Sequence, residues 1–466
     1  MYFTLLSWFG TIPPKFSYSI GMKNLILHFL FGSIFSIIVA QEYDISECIN
    51  IALDRKGTLV SAGLDVESAN QGVKGSYSGI LPALNLSTSG GKTKYPSQES
   101  IIPDLVNLEI DTIKSGESSY MSAGLSINQT LYDGGRSFYN VKQAKINLEI
   151  AKLRERNIRI EVIQNVSRSY YGLLQDQQLL EVAEKNLALS EKQVALIQKQ
   201  FDLGSARKTD LLKANVALGQ AKVELLNRKT ALQNSRRKLF NDMGMIDFGQ
   251  SIVAKNSDWL PVIVPTSSEA LKLLKEKNPN MLIQQAVIKN GEIQLKMAKG
   301  MRSPSAFASV DYSANGNNSE ELKESFKDDW RLGMNMSVSF PLYSGNSLST
   351  AQEQAELAKR KTENDYLTYL NDFRVQLELI RKTITNYSEI IPINQDVVAS
   401  AEEDLKLVQE RYSVGSATIL EVLDAQVSLI RSNSVLINTI HDARIQEMSL
   451  KALLGILDLE YQNKEE

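Results

Sequence analysis

The sequence predicts a mainly α-helical protein with a small β part, built from two copies of a helix–strand–strand–long helix–helix unit. Three observations predict it. One order of segments recurs at a fixed offset, apolar residues alternate at period two over four short stretches, and two long rows of apolar residues at seven-residue spacing each end at a single glycine.

The repeat is clearest at "QFDLGSARKTDLLKA" (200–214) and "ERYSVGSATILEVLDA" (410–425), where Phe201 aligns with Tyr412, Gly204 with Gly415 and Ser205 with Ser416, an offset of 211. The same offset carries "LYDGG" (131–135) onto "LYSGN" (342–346) and "LFNDMG" (239–244) onto "LKALLG" (450–455). Upstream it becomes 222, taking Glu47 onto Glu269 and Pro82 onto Pro304. The difference falls between Pro82 and Leu131, where the first copy has the longer polar stretch.

At the N-terminus, Lys23 precedes an apolar run from Leu25 to Val39 that closes on the small residue Ala40. Residues 22–40 are therefore expected to be an export signal peptide, and 1–21 a non-native extension from an upstream start codon. The position after the cut is Gln41 rather than cysteine, so lipid attachment there has no thiol to use. The first repeat then spans 41–250: a helix headed by Glu47, strands at 82–90 and 120–131, a long helix at 134–203 and a return helix at 205–245. A linker covers 251–265. The second repeat spans 266–457, with strands at 304–313 and 330–341, a long helix at 345–414 and a return helix at 416–456. Residues 458–466 read as a flexible tail.

In the last strand Trp330, Leu332, Met334, Met336, Val338 and Phe340 share one face, and Arg331, Gly333, Asn335, Ser337 and Ser339 the other. Its counterpart keeps the register, with Ala123, Leu125 and Ile127 opposite Gly124, Ser126 and Asn128. A strand of about 9–11 alternating residues suits a membrane β-barrel, and a half-buried soluble sheet alternates too. In the long helices Val166, Leu173, Leu180, Leu187, Val194 and Phe201 fall every seventh residue, as do Leu377, Ile384, Ile391, Val398, Leu405 and Tyr412. Such rows hold one seam against a partner helix, and 134–203 as continuous helix reaches about 105 Å. Pro392 inside the second removes a backbone bond and predicts a kink.

Lys and Arg total 51 against 54 Asp and Glu, a net charge of −3 that offers no basic excess for nucleic acid. One cysteine (Cys48) and two histidines (His28 and His441) argue against zinc clusters, disulfide frameworks and His-based triads. No phosphate loop or dinucleotide fingerprint stands at a strand–helix junction. No catalytic residue, cofactor or metal ligand is predicted.

With repeat, strands and coiled helices in place, "NQTLYDGGRS", "SFPLYSGNS" and the two glycine reversals followed by "DLLKA" and "EVLDA" carry a resemblance: from about Gln41 to Leu457 the sequence resembles the TolC-like outer-membrane efflux protein family. That resemblance implies a homotrimer in which each protomer gives four strands to a 12-stranded outer-membrane barrel continuing into a periplasmic α-helical coiled-coil tunnel. It implies a passive exit duct of a tripartite efflux or type I secretion system, coupled to a periplasmic adaptor and an inner-membrane pump. The polar segments 90–119 and 315–329 are then expected outside the cell. Gly134, Gly135, Gly345 and Asn346 form the strand–helix turns, the asparagine standing where the family usually has glycine. Gly204, Ser205 and Ala206, with Gly415, Ser416 and Ala417, form the tip where an adaptor docks. Glu421 and Asp424, six and nine residues after Gly415, match the family's acidic pair at the entrance, and Tyr412 with Asp210 matches one of its closing links. The arginine of that link is missing, since Ala417 stands there; Arg207, Lys208 or Arg411 are the candidates to replace it. The alternative is an exported coiled-coil scaffold or adaptor without a pore. An enzyme of cell-wall sugars would need a carboxylate cluster, and here the acids scatter along helix faces.

Overall fold

The computed structural model describes residues 41–96, 98–101, 110–113, 116–246, 252–254 and 263–462. The expected extension 1–21, the signal peptide 22–40, most of the linker 251–265 and the last residues of the tail lie outside them.

Each repeat begins with two helices where the sequence suggested one. In the first copy a short strand, β1 (Gln41–Tyr43), leads to α1 (Ile45–Arg55) and α2 (Gly57–Ser76), broken at Lys56. The hairpin of β2 (Ala83–Tyr95) and β5 (Gly116–Asp133) follows, with β3 (Gln98–Ile101) pairing β4 (Ile110–Ile113) beyond it. Then come the long helix α3 (Arg136–Asp202) and the return helix α4 (Lys208–Asp242). The linker holds β6 (Ile252–Ala254), which pairs parallel with β1. The second copy runs α5 (Ser267–Lys277), α6 (Pro279–Gly300), β7 (Ser305–Gly316), α7 (Ser319–Asp328), β8 (Arg331–Ser339), the long helix α8 (Ser347–Ser413), the return helix α9 (Ile419–Leu454) and a terminal turn, α10 (Leu459–Gln462).

The break in the first helix has the same cause in both copies. Gly244 and Gly455 end the return helices in the left-handed region, at φ 72° and 69°. Each is pressed onto the break: a Cβ on Gly244 would stand 3.0 Å from the Arg55 carbonyl oxygen, and one on Gly455 2.4 Å from that of Lys277. Lys56 Nζ donates to the Asn241 carbonyl at 2.7 Å, and Asn278 Nδ2 to that of Leu453 at 2.8 Å. The heads are fixed by reciprocal caps, Asp44 with Glu47 and Thr266 with Glu269, the aligned glutamates of the repeat.

The strands also depart from expectation. The first hairpin continues to Tyr95 and starts again at Gly116, so much of the polar stretch after Gly90 is paired strand. In the second copy the stretch expected as a loop (315–329) is mostly helix, because Asn318 caps it and Leu322 and Phe326 give it an apolar side. The tail is not free at its start. Asp458 is completely buried and forms a two-pronged ion pair with Arg156 of α3, Nε to Oδ2 at 2.8 Å and Nη2 to Oδ1 at 3.1 Å.

The four long strands form one antiparallel sheet in the order β2–β5–β7–β8. Its register lines up the two faces across both copies. Leu86, Leu125, Tyr312 and Leu332 make one row and Leu84, Ile127, Val310 and Met334 the next. On the opposite face Asn85, Ser126, Asp311 and Gly333 align, and so do Ser87, Gly124, Ser313 and Arg331. The apolar face is exposed in the single chain: Leu86 is 80% and Met334 74% exposed. Among the described residues, the outer strands β2 and β8 have no second neighbour.

The seven-residue rows face inward. Val166, Leu173, Leu377, Ile384 and Ile391 are buried, and α8 runs through Pro392 as one 67-residue helix. The main apolar core gathers Cys48 and Ile49 of α1, Ile163, Val166 and Leu173 of α3, Phe240 of α4 and Leu457, halfway along the molecule. Another closes the far end, joining Ile197, Ala214, Leu405, Val408, Ile419 and Val422 from all four long and return helices. Among the described residues no helix is long and apolar enough to cross a membrane.

Candidate functional site: the helical tip

Two long helices reverse about 100 Å from the strands, given 67 residues at about 1.5 Å each. Both reversals use one construction. Gly204 and Gly415 have φ of 77° and 79°, and a Cβ on either would meet nothing within 4 Å. Backbone handedness, not crowding, demands glycine there. In the first turn Gly204 N–H donates to Phe201 O at 2.9 Å and Ser205 N–H to Gln200 O at 2.8 Å; in the second Gly415 N–H donates to Tyr412 O at 3.1 Å and Ser416 N–H to Arg411 O at 2.8 Å. This paired closure satisfies carbonyls that the helix end leaves open. The serine hydroxyls of Ser205 and Ser416 bond back to the same two carbonyls. Ala206 and Ala417 are half-buried against the tip core, while Gly204, Ser205, Gly415 and Ser416 are exposed.

Glu421 is the third residue of α9, and its carboxylate closes a capping box. Oε1 accepts from the Thr418 N–H at 3.1 Å and the Thr418 hydroxyl at 3.0 Å. Oε2 lies 3.7 Å from Arg411 Nη2, which also donates to the Ser416 carbonyl at 3.1 Å. The Thr418 bonds hold the Glu421 pKa below the ordinary glutamate value, with Arg411 adding to them. Asp424 is exposed one turn on. Of the three basic candidates, Arg411 is the one beside Glu421, and Arg207 and Lys208 stand exposed beside the other turn.

The link between Tyr412 and Asp210 takes another form within the chain. The Tyr412 hydroxyl donates to Gln200 Oε1 at 3.2 Å, tying α8 to α3. Burial raises the Tyr412 pKa, and the charge of Asp210 raises it further, so the carboxylate is close without receiving the proton. Gln200 and Thr418 were missed in the sequence. Thr418 was legible, since "TILE" (418–421) is a capping-box pattern. Gln200 carries no local signal.

Gly134 and Gly135, at φ 74° and 80°, and Gly345 and Asn346, at φ 60° and 67°, start the long helices. Gly134 also meets Gly300 backbone to backbone, leaving 2.0 Å between a Cβ there and the Gly300 oxygen. Asn346 is the one non-glycine residue at positive φ among those described.

Above the tip, α3 and α9 are joined by uncharged polar pairs. Gln426 Nε2 donates to Asn186 Oδ1 at 2.6 Å and Ser190 Oγ at 3.1 Å; Gln178 pairs with His441 at 2.9 Å and Gln175 with Asn438 at 2.7 Å. Among the described residues no group of three or more His, Cys, Asp or Glu stands close enough to hold a metal.

Residues 48–245 and 270–456 match the profile of a family described as "Outer membrane efflux protein". The chain is 23% identical over 450 residues to the outer membrane protein TolC of Vibrio cholerae, covering 94% of this chain and 96% of that protein. It is 24% identical over 418 residues to the solvent efflux pump outer membrane protein SrpC of Pseudomonas putida, covering 87% and 84%. Its fold matches the outer membrane protein VceC of Vibrio cholerae with a TM-score of 0.74 at 18% identity over 88% of this chain and 96% of that one. The CmeC outer membrane channel of Campylobacter jejuni matches with a TM-score of 0.77 at 14% identity, over 90% and 88%.

Proposed function

The chain belongs to the outer membrane efflux protein family, and from that premise we propose that it works as the passive exit duct of a tripartite system, trimeric in the outer membrane and joined at its helical tip to a periplasmic adaptor and an inner-membrane pump. The observation that carries this reading is the sheet. Four strands present matched apolar rows outward and matched polar rows to the other side, and feed directly into two helices about 100 Å long. A sheet of four strands leaves two edges. Roughly half the backbone groups of nine-residue β8 point away from β7, and each costs several kcal/mol unpaired in lipid. The sum, tens of kcal/mol per edge, exceeds the net stability of about 5–15 kcal/mol of a typical domain. Strand β2 of a neighbouring copy against β8 removes it, and three copies supply twelve strands.

Exposed apolar residues on the outermost helices support the same assembly. Leu212, Val216, Val223 and Leu226 line α4, and Ile390, Ile393, Val397 and Leu407 line α8, at coiled-coil spacing and exposed in the single chain. A pore-free scaffold has no use for an outward apolar sheet face. At the tip, small residues around Gly204 and Gly415 leave open space for an adaptor's helices. Carried into a channel-deleted host, the native chain is expected to restore resistance to efflux substrates. Gly415→Trp should remove that resistance with heat-stable trimers still present in the membrane. Gly415→Asn, which tolerates the left-handed backbone, should keep it. Resistance that survives the tryptophan overturns the docking role of the tip.

A further inference from the structure

The second polar segment, which the duct itself does not require, folds back on the wall of the barrel. Helix α7 is capped at Asn318, whose Oδ1 accepts from Glu320 N–H at 3.0 Å and Glu321 N–H at 2.9 Å. Its apolar side, Leu322 and Phe326, lies on the even-numbered residues of β7, the face that carries Val310 and Tyr312 outward. The Tyr312 hydroxyl donates to the Phe326 carbonyl at 3.1 Å, and the Tyr312 ring stands 5.8 Å from those of both Phe326 and Trp330. The β7 residues beneath the helix are small. Ala123 pairs with Ala314, which is 1% exposed, and Met121 pairs with Gly316, where a Cβ would stand 2.5 Å from the Leu322 nitrogen. The helix therefore sits outside the barrel, immediately above the last open apolar row.

The height of that row places the helix relative to a bilayer. The outward apolar residues of β8 and its flanks begin at Trp330 and end at Phe340. Ten steps of about 3.4 Å, at a strand tilt of about 40°, span roughly 26 Å of membrane normal, close to the about 25 Å apolar band of membrane barrels. Aromatic residues stand at both limits: Tyr312 and Trp330 above, Tyr132 and Phe340 below. Such belts mark the two membrane–water interfaces. The outer side of α7 is charged, with Glu320, Lys323, Glu324 and Lys327 exposed. An amphipathic helix with its apolar side spent on the barrel and its charges turned outward at the level of an aromatic belt fits the headgroup layer, not the acyl region or the pore.

We propose that α7 is an interfacial rim helix, packed on the outside of the barrel mouth with its charged face lying in the lipid headgroup layer, where it fixes the depth of the barrel. The proposal rests on the reading of the sheet as membrane-embedded. It is tested with the full chain in phosphatidylcholine vesicles, carrying a fluorescent probe on one engineered cysteine. Native Cys48 does not compete, being fully buried with its thiol pushed up to about 12 by that burial and the nearby Glu47 and Asp44. Three sites are compared: Lys323→Cys on α7, Met334→Cys on the apolar face and Lys94→Cys on the hairpin beyond α7. Lipids bear a nitroxide on the headgroup or deep in the acyl chain, positions separated by about 15 Å. The Lys323 probe should be quenched about twofold more by the headgroup nitroxide than by the deep one, the Met334 probe should show the reverse, and the Lys94 probe should respond to neither. Quenching at Lys323 no stronger than at Lys94, with Met334 still quenched by the deep nitroxide, overturns the rim helix and leaves the barrel intact. A Met334 probe that no nitroxide reaches overturns the membrane reading, and this proposal with it.

Discussion

At the helical tip, the Glu421 carboxylate already serves α9 within the single chain, because it accepts two bonds from Thr418. Replacing it with alanine therefore mixes loss of a charge with loss of a cap acceptor. Glu421→Gln with Asp424→Asn removes the charges and keeps the cap acceptor. The native channel is expected to be cation-selective and blocked by multivalent cations from the tip side, since clustered carboxylates in a narrow pore attract cations. The double variant should lose both properties in single-channel recordings, and selectivity that persists places the acids outside the pore. In acid, the depressed Glu421 pKa makes its capping contribution full above the ordinary glutamate range and lost as pH falls through the lowered value. His441 acts over a higher window. It is 2% exposed beside Tyr171, its Nδ1 has no hydrogen-bond partner among the described residues, and burial with Arg444 nearby lowers its pKa to about 4. The unfolded chain binds a proton near pH 6.5 that the folded chain refuses, so stability falls as pH drops from about 6.5 to about 4, by on the order of 3 kcal/mol in all. His441→Gln should flatten the denaturant midpoint across that range, and an unchanged slope locates the pH dependence elsewhere.

Among the elements, α3 is the one that both repeats hold. Its Arg156 fixes the C-terminal end of the second copy through Asp458 and through the carbonyls of Lys277, at 2.9 Å, and Gly455, at 2.6 Å. Arg156→Ala leaves a buried carboxylate unpaired and is expected to cost about 3–5 kcal/mol, whereas Arg156→Met with Asp458→Leu should recover most of that. Urea midpoints of the two variants check it; equal losses would mean that packing, not charge, holds the junction. This element also shows why the tail was misread. "DLEYQNKEE" is polar, and nothing local says that its first residue meets an arginine some 300 residues earlier. The split first helices were partly legible, because Asn278-Pro279 is a cap followed by a helix-starting proline. The Lys56 break was not, since it is set by Gly244 pressing from the other end of the copy. The helix in 315–329 was overlooked because four acids and two lysines in ten residues mask its two apolar anchors.

For the whole molecule, the exposed stripes decide how copies meet. Val223 is 59% and Val397 47% exposed in the single chain, on helices that flank the bundle. If neighbouring copies cover them, Val223→Asp should abolish the SDS-resistant trimer while leaving helical content unchanged by circular dichroism. A trimer that persists shows that the strands and other helix faces suffice. The cost should be large relative to the substitution itself, since a carboxylate on an exposed position of a monomer changes stability by only about 0.5 kcal/mol.

The sequence alone determined the duplication, the alternation of the strands, the seven-residue seams and the glycine reversals. Each is written in neighbours a few residues apart, through strand pleat, helix pitch or a backbone angle that only glycine adopts cheaply. Tertiary structure decided what depended on partners distant along the chain. It sent the Tyr412 proton to Gln200, set Arg411 beside Glu421, pressed Gly244 and Gly455 onto the breaks of the first helices, and laid α7 on the apolar face of β7. Those outcomes turn on distances of a few ångströms between residues that no periodicity relates, and hydrogen bonds and close contacts are decided at that scale.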